Sequence, residues 1–202
     1  MTFRRKPATP AVDLIIIGLG NPGREYSGSR HNLGFMCLTE LARRLGVRVT
    51  ERSSNALVAT AKARGREGSV LLAKPQTFMN LSGRAAAALV RKHKLTPSDV
   101  WIIHDEMDIP FGKLRIRKGG AAGGNNGVRS LIAELGDSGF VRYRMGVGRP
   151  EPADAVDHLL SPFTEDERRR LPVLIAITVD AVMDALTDGI DISMNRHNGR
   201  SA

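Results

Sequence analysis

The feature that most constrains the fold of this sequence is an alternation of strand-like apolar runs with segments of helical periodicity. The predicted strands are 13–18, 56–63, 69–75, 99–105, 113–118 and 141–148. The predicted helices are 33–46, 82–95, 128–136 and one that begins at Thr164 and runs to about Thr187. Strands that alternate with helices predict an α/β protein whose sheet carries helices on both faces.

The composition narrows the class of protein. The chain has 202 residues, which suits one domain with a substantial core. Its single cysteine, Cys37, excludes a disulfide framework and a cysteine metal cluster. No run approaches the roughly 18–20 apolar residues of a membrane span, and no apolar segment typical of a signal peptide follows the basic N-terminus. We therefore expect a cytoplasmic protein that does not bind a membrane.

The charge balance indicates a polyanionic partner. Thirty Lys and Arg residues against 21 Asp and Glu give a formal net charge of +9. Such a field attracts nucleic acid, although the excess also fits a protein that is merely kept soluble. Aromatic residues make up 4% of the chain, which favours contact with phosphates over extended base stacking.

A glycine-rich turn follows the first predicted strand. Gly18, Gly20 and Gly23 have the G-x-G-x-x-G spacing of a dinucleotide-binding turn. That site also needs a helix beginning at the turn and an acidic residue at the end of the next strand. Here the helical pattern starts only near Leu33, so NAD or FAD binding is disfavoured. The turn instead places Asn21 at the carboxyl end of a buried strand, where α/β sheets bind ligands, although Asn-Pro-Gly is also ordinary turn chemistry.

Four other polar residues lie at junctions between predicted elements. His31 precedes a helix, Asp105 ends an apolar strand, Asn80 lies between a strand and a helix, and Asn126 lies in a glycine-rich loop. If these junctions share one edge of the sheet, the side chains converge with Asn21. A histidine backed by a carboxylate is a general base that activates water, and amides stabilise an oxyanion. This set predicts direct hydrolysis of an activated ester or amide; the plainer alternative is that His31 only caps or packs.

A metal site is disfavoured. His104, Asp105, Glu106 and Asp108 carry ligand chemistry, but neighbouring strand residues point to opposite faces and no second histidine has ligand spacing. We therefore expect no metal and no cofactor.

A basic segment, 112–133, contains no acidic residue. In its strand, Lys113, Arg115 and Arg117 alternate with apolar residues and so share one face. The glycine-rich loop that follows permits a backbone to approach closely, which favours a track for phosphates over a simple solvated face.

Four segments together resemble bacterial peptidyl-tRNA hydrolase. They are GLGNPGREYSGSRHNLGF (18–35), KPQTFMNLSG (74–83), HDEMDIPFGKLRIRKGG (104–120) and GGNNGVRSL (123–131). The resemblance runs from about Asp13 to about Asn198 and implies one α/β domain over 13–198, a twisted mixed sheet between helices, acting as a monomer. Residues 1–12 match nothing in the family and are expected to form a disordered basic extension, in which Arg4, Arg5 and Lys6 contact RNA.

The activity implied by the resemblance is cleavage of the ester that joins a peptide to the terminal ribose of tRNA, which recycles prematurely released peptidyl-tRNA without a metal. His31 matches the catalytic base and Asp105 the carboxylate that orients it. Asn21, Asn80 and Asn126 match the asparagines that hold the peptide end of the substrate and the reacting water or oxyanion.

Further matches concern the cleft and the tRNA. Tyr26, Phe78 and Met79 match residues that line the cleft, and Arg117 and Arg144 match basic positions associated with a tRNA phosphate. One position departs from the family, since relatives usually read Gly-Gly-His-Asn-Gly where this chain has Asn125 before Asn126.

The competing hypothesis is a non-catalytic RNA-binding protein on the same scaffold, as among plant relatives that serve in intron splicing. Retention of both His31 and Asp105 argues against it.

Overall fold

The first apolar run forms the central strand of a seven-stranded sheet. The structure, a computed structural model, describes residues 11–149 and 154–202. In that part of the chain the strands are β1 (Val12–Gly18), β2 (Glu51–Ser53), β3 (Ala56–Ala61), β4 (Ser69–Pro75), β5 (Val100–Glu106), β6 (Leu114–Lys118) and β7 (Val141–Gly146). The helices are α1 (Leu33–Arg44), α2 (Ser82–His93), α3 (Asn126–Leu135), α4 (Ala155–Leu160), α5 (Glu165–Asp188) and α6 (Ile190–His197).

The sheet is mixed, with strand order β2-β3-β4-β1-β5-β7-β6. The four central strands, β4, β1, β5 and β7, run parallel. At the edges β3 is antiparallel to β4, β2 to β3, and β6 to β7. The predicted class, a single α/β domain with a mixed sheet between helices, is confirmed. The parallel strands place the ends of β1, β4 and β5 at one edge.

The core lies on both faces of β1, as its unbroken apolar run predicts. Ile16 faces the layer of α1 and α5, where it joins Leu38 and Leu174. Ile15 and Ile17 face the layer of α2 and α3 and join another apolar cluster. Because successive strand residues alternate between faces, one isoleucine run anchors both helix layers.

Two glycines bring α1 directly onto the sheet. A Cβ atom on Gly34 would collide with the backbone oxygens of Ile103 and Leu19, and one on Gly18 would collide with the Gly34 carbonyl. The start of α1 therefore lies against the ends of β1 and β5, which places the residues just before α1 beside the end of β5.

The structure corrects several predicted boundaries. β1 begins at Val12, so that residue is not part of a disordered extension. Residues 1–10, including Arg4, Arg5 and Lys6, lie outside the described residues. α3 begins at Asn126, two residues earlier than predicted, so Asn126 belongs to a helix and not to the glycine-rich loop. β2, α4 and α6 were not predicted. β2 has three residues and α4 has six, which are too few to show a periodic pattern.

No helix within the described residues is long and apolar enough to cross a membrane.

Candidate active site

A buried histidine–carboxylate pair lies at the carboxyl edge of the sheet. His31 Nδ1 is 3.0 Å from both carboxylate oxygens of Asp105. His31 is 7% exposed and Asp105 1%. A carboxylate can only accept, so Nδ1 carries the proton and Nε2 is the nitrogen that can take one. Within the described residues, Nε2 has no hydrogen-bond partner.

Two opposing effects set the pKa of His31. Burial lowers the pKa because it disfavours the charged imidazolium, while the negative charge and the hydrogen bond of Asp105 raise it. The carboxylate prevails, and the pKa of His31 lies above its usual value. The ring is thus a stronger base than burial alone would leave it.

The short 3₁₀ turn that carries His31 is fixed to the rest of the molecule by its first residue, Arg30. This guanidinium is buried and binds Glu167 of α5, with 2.6 Å between Nη2 and Oε2. Its Nη1 donates to the Ser161 hydroxyl at 2.7 Å and to the Pro162 carbonyl at 2.9 Å. Sequence reasoning did not identify Arg30 as an anchor, since its partners lie more than a hundred positions away.

Asn21 is oriented by contacts at both its backbone and its side chain. Asn32 accepts from the Asn21 backbone N–H at 2.7 Å and donates to its carbonyl at 2.9 Å. The Asn21 Oδ1 atom accepts from the Met79 N–H at 2.7 Å. With Oδ1 occupied, Nδ2 is the end of this buried amide that remains to donate to a ligand. Asn32 was not among the predicted site residues, although it stands next to His31.

The residues after β4 lie against the start of α3. Met79 is buried, and a Cβ atom built on Gly127 would lie 2.5 Å from its sulfur. Asn80 and Phe78 flank Met79 and are exposed. Asn126, at the first position of α3, is exposed and its Oδ1 accepts from Arg129 at 2.6 Å. Hydrogen bonds and packing thus connect these segments to Asn21.

Asn125 connects α3 to the Asp105 carboxylate. Its Oδ1 accepts from the backbone N–H groups of Gly127 and Val128, the usual contacts of a helix N-cap. Its Nδ2 lies 3.2 Å from the Asp105 carbonyl oxygen and 3.4 Å from Asp105 Oδ1. An asparagine before a helix is a recognisable cap, but its reach to β5 was not visible in the sequence.

Two of the predicted basic residues, Arg117 and Arg144, line a cavity of about 170 Å³ on the other face of β5, whereas Lys113 and Arg115 do not line it. Arg144 binds Glu106 through Nη2 at 2.9 Å, and Arg117 and Arg142 also line the cavity. Burial, together with the charges of Arg117 and Arg144, lowers the pKa of Arg142 to about 10. His104 lines this cavity while Asp105 contacts His31, so the two point to opposite faces as predicted.

Tyr26 completes the predicted set, and Cys37 was not part of it. Tyr26 ends the 3₁₀ turn Arg24–Tyr26 that follows the glycine turn, and it is half-buried. The helix expected of a dinucleotide site is thus replaced by a short turn, and α1 begins at Leu33. Cys37 is fully buried in the core, and burial raises the pKa of its thiol, so it is no nucleophile.

The fold and the site together define a class: an open α/β sheet with a buried histidine–carboxylate pair at the carboxyl edge of its parallel strands, and with a basic cavity on the other face of β5. The family model described as peptidyl-tRNA hydrolase matches residues 15–202, and the chain belongs to this family. The predicted family and the predicted hydrolase class are therefore confirmed.

Individual relatives agree with this assignment. The chain is 48% identical over 186 residues to peptidyl-tRNA hydrolase from Geobacter metallireducens, covering 92% of this chain and 95% of that one. It is 43% identical over 188 residues to the enzyme of the same name from Dehalococcoides mccartyi, covering 91% and 98%. The crystal structure of peptidyl-tRNA hydrolase from Acinetobacter baumannii superposes with a TM-score of 0.86 at 28% identity, covering 97% of this chain and 99% of that one.

Proposed function

We propose that the protein hydrolyses the ester between the peptide, or N-blocked aminoacyl group, and the terminal ribose of peptidyl-tRNA, releasing free tRNA and peptide. The observation that carries the proposal is the buried pair in which Asp105 holds His31 Nδ1 at 3.0 Å and leaves Nε2 open. Family membership supplies the substrate class.

In the proposed reaction the base acts on water. His31 Nε2 takes a proton from water, and the water oxygen attacks the ester carbonyl carbon. Asp105 stabilises the imidazolium that forms and keeps the proton of Nδ1 in place. The tetrahedral intermediate then collapses, the bond from carbon to ribose oxygen breaks, and the imidazolium returns its proton to the leaving oxygen.

The amides supply the oxyanion contact and the selectivity. Asn21 Nδ2 is oriented by the bond between its Oδ1 and the Met79 N–H, so it is ready to donate to the substrate without further ordering. Asn80 and Asn126 take the N–H and C=O groups of the peptide, and Tyr26, Phe78 and Met79 line the cleft. A free aminoacyl ester places an ammonium group here, which amide donors do not favour. We therefore expect selectivity for blocked substrates.

The partner is tRNA. Arg117 and Arg144 line a cavity next to the end of β5 and bind a tRNA phosphate. The protein acts as a monomer in the cytoplasm, where it recycles tRNA from aborted translation.

The test uses the purified protein with N-acetyl-aminoacyl-tRNA and with unblocked aminoacyl-tRNA, both in EDTA. We expect cleavage of the blocked ester only. His31→Ala lowers kcat by about 10²–10⁴-fold, because the general base is lost. His93→Ala is the matched control, since His93 ends α2 and takes no part in the site.

Two results would contradict the proposal. If His31→Ala stays within threefold of the wild type, His31 is not the base. If neither ester is cleaved but tRNA binds in a salt-sensitive manner, the chain is an RNA-binding protein on a hydrolase scaffold.

A further inference from the structure

We infer that Asn125 is a positioning residue for the catalytic pair, acting as a neutral amide donor that fixes Asp105 while it caps α3. The inference rests on the proposed function and extends it, because it assigns a task to a loop position where this chain has asparagine and the family usually has histidine.

The two ends of the Asn125 amide have different partners. Oδ1 accepts from Gly127 N at 3.0 Å and from Val128 N at 3.1 Å, which fixes the side-chain plane. Nδ2 then faces the end of β5, where it lies 3.2 Å from the Asp105 carbonyl and 3.4 Å from Oδ1. The two backbone N–H groups need an acceptor, so the amide atom that faces them is the oxygen. The amide nitrogen, a donor, therefore faces Asp105.

Asp105 needs such a support. Its carboxylate is 1% exposed, so water contributes little to holding it, and His31 Nδ1 is equidistant from both oxygens. A single donor from one side leaves the carboxylate free to rotate about its χ2 angle, which is soft. The Asn125 contact to Asp105 Oδ1 opposes that rotation, and its contact to the Asp105 main-chain carbonyl holds the amide beside the carboxylate. The carboxylate thus keeps His31 directed at the water.

The geometry also sets the size of the effect. Distances of 3.2 and 3.4 Å are at the long end for hydrogen bonds, so Asn125 assists the pair and does not replace it. Loss of the donor should therefore cost about three- to tenfold in kcat, far less than loss of the base. KM should not change, because Asn125 acts through Asp105 and does not touch the substrate.

Two substitutions at Asn125 separate the cap from the donor. Asn125→Ser keeps a good N-cap but is too short to reach Asp105, whereas Asn125→His keeps an N–H donor for Asp105 and is a poor cap. We expect the serine variant to keep its Tm within about 2 °C and to lose about three- to tenfold in kcat. The histidine variant should lose about 2–4 °C in Tm and keep kcat within about twofold.

A spectroscopic measurement makes the test independent of turnover. The low-field proton resonance of His31 Nδ1–H reports the bond to Asp105, and we expect it to be sharp in the wild type and in Asn125→His and broadened in Asn125→Ser. Thr96→Ala, which removes an exposed cap far from this edge, is the control and should leave the resonance unchanged.

The outcomes distinguish the two proposals. If Asn125→Ser has the kcat and the His31 resonance of the wild type, Asn125 is a cap only and the inference is wrong. If the wild type cleaves no peptidyl ester, the proposed function fails, and the resonance still decides whether Asn125 positions the pair.

Discussion

At the scale of single residues, the pKa of His31 shows how a neighbouring carboxylate outweighs the effect of burial on an imidazole. Burial alone would favour the neutral ring and lower its basicity, but the Asp105 carboxylate reverses the sign of the shift. The rate constant kcat/KM should therefore fall as the pH drops through the raised pKa of His31, because the protonated ring cannot accept a proton from water.

Asp105→Asn tests both tasks of the carboxylate. Without the negative charge of Asp105, burial is the remaining effect on the pKa of His31. The pKa should therefore fall, and the acid limb of kcat/KM should move to lower pH. Over the same range kcat falls by about 10²-fold, since an amide no longer stabilises the imidazolium and permits the wrong tautomer. The measurement is the pH profile of both variants. An acid limb at the wild-type position would show that Asp105 does not set the pKa of His31.

The residues of the pair were predictable, and their supports were not. His31 and Asp105 are 74 positions apart, yet each stands at a junction between predicted elements, where polar side chains are candidates for a site. The local sequence around the three supporting residues looks ordinary. Arg30 is a basic residue before a helix, Asn32 is a turn residue, and Asn125 is a helix cap. Arg30 contacts α5, Asn32 contacts Asn21, and Asn125 contacts Asp105. These contacts join separate segments of the chain, so hydrophobic periodicity does not predict them.

At the scale of elements, the approach of α1 to the sheet decides where His31 lies. Gly34 stands three residues after His31, and its missing side chain lets the helix start touch the backbone of Leu19 and Ile103. The sequence predicts α1 from its apolar spacing, but gives no sign that this glycine, and not another, lies in a helix–strand contact.

Gly34→Ala should therefore harm both stability and catalysis. The added methyl group meets backbone atoms that cannot move aside cheaply, so the free energy of unfolding falls by about 1–3 kcal/mol. The shift of α1 also separates His31 from Asp105 and lowers kcat. Urea unfolding and the hydrolysis assay measure the two effects. Gly28→Ala is the control for stability, since a Cβ there meets nothing within 4 Å. Equal stability of both variants would refute the close-contact argument.

At the scale of the whole molecule, the net charge of +9 favours a polyanionic partner, and the proposed function assigns the register of the tRNA to particular arginines. Composition predicts the first property directly. The second depends on the antiparallel pairing of β6 with β7, which brings Arg117 opposite Arg142 and beside Arg144. Order within the sheet is not encoded in local periodicity, and the sequence alone therefore left the phosphate track as one of two interpretations.

Arg117→Ala should weaken binding of the tRNA substrate and reduce the slope of log K against log salt by about one, because one phosphate contact is lost. Arg43→Ala removes the same formal charge from the last turn of α1, at the far end of that helix from His31, and should leave the slope almost unchanged. Binding titrations at several salt concentrations measure both. An identical slope for Arg117→Ala and the wild type would remove Arg117 from the phosphate contact.

The parallel arrangement of the central strands has a consequence for how the chain acquires its activity. β1 pairs with β4 and β5, so Ile16 lies beside both Leu72 and Trp101, which are distant in sequence. Such pairings close long loops and form slowly during folding. Asn21 and Met79 follow β1 and β4, and Asp105 lies near the end of β5. Since the candidate site draws on all three strands, we expect turnover during refolding to appear only after β1 has paired with both β4 and β5.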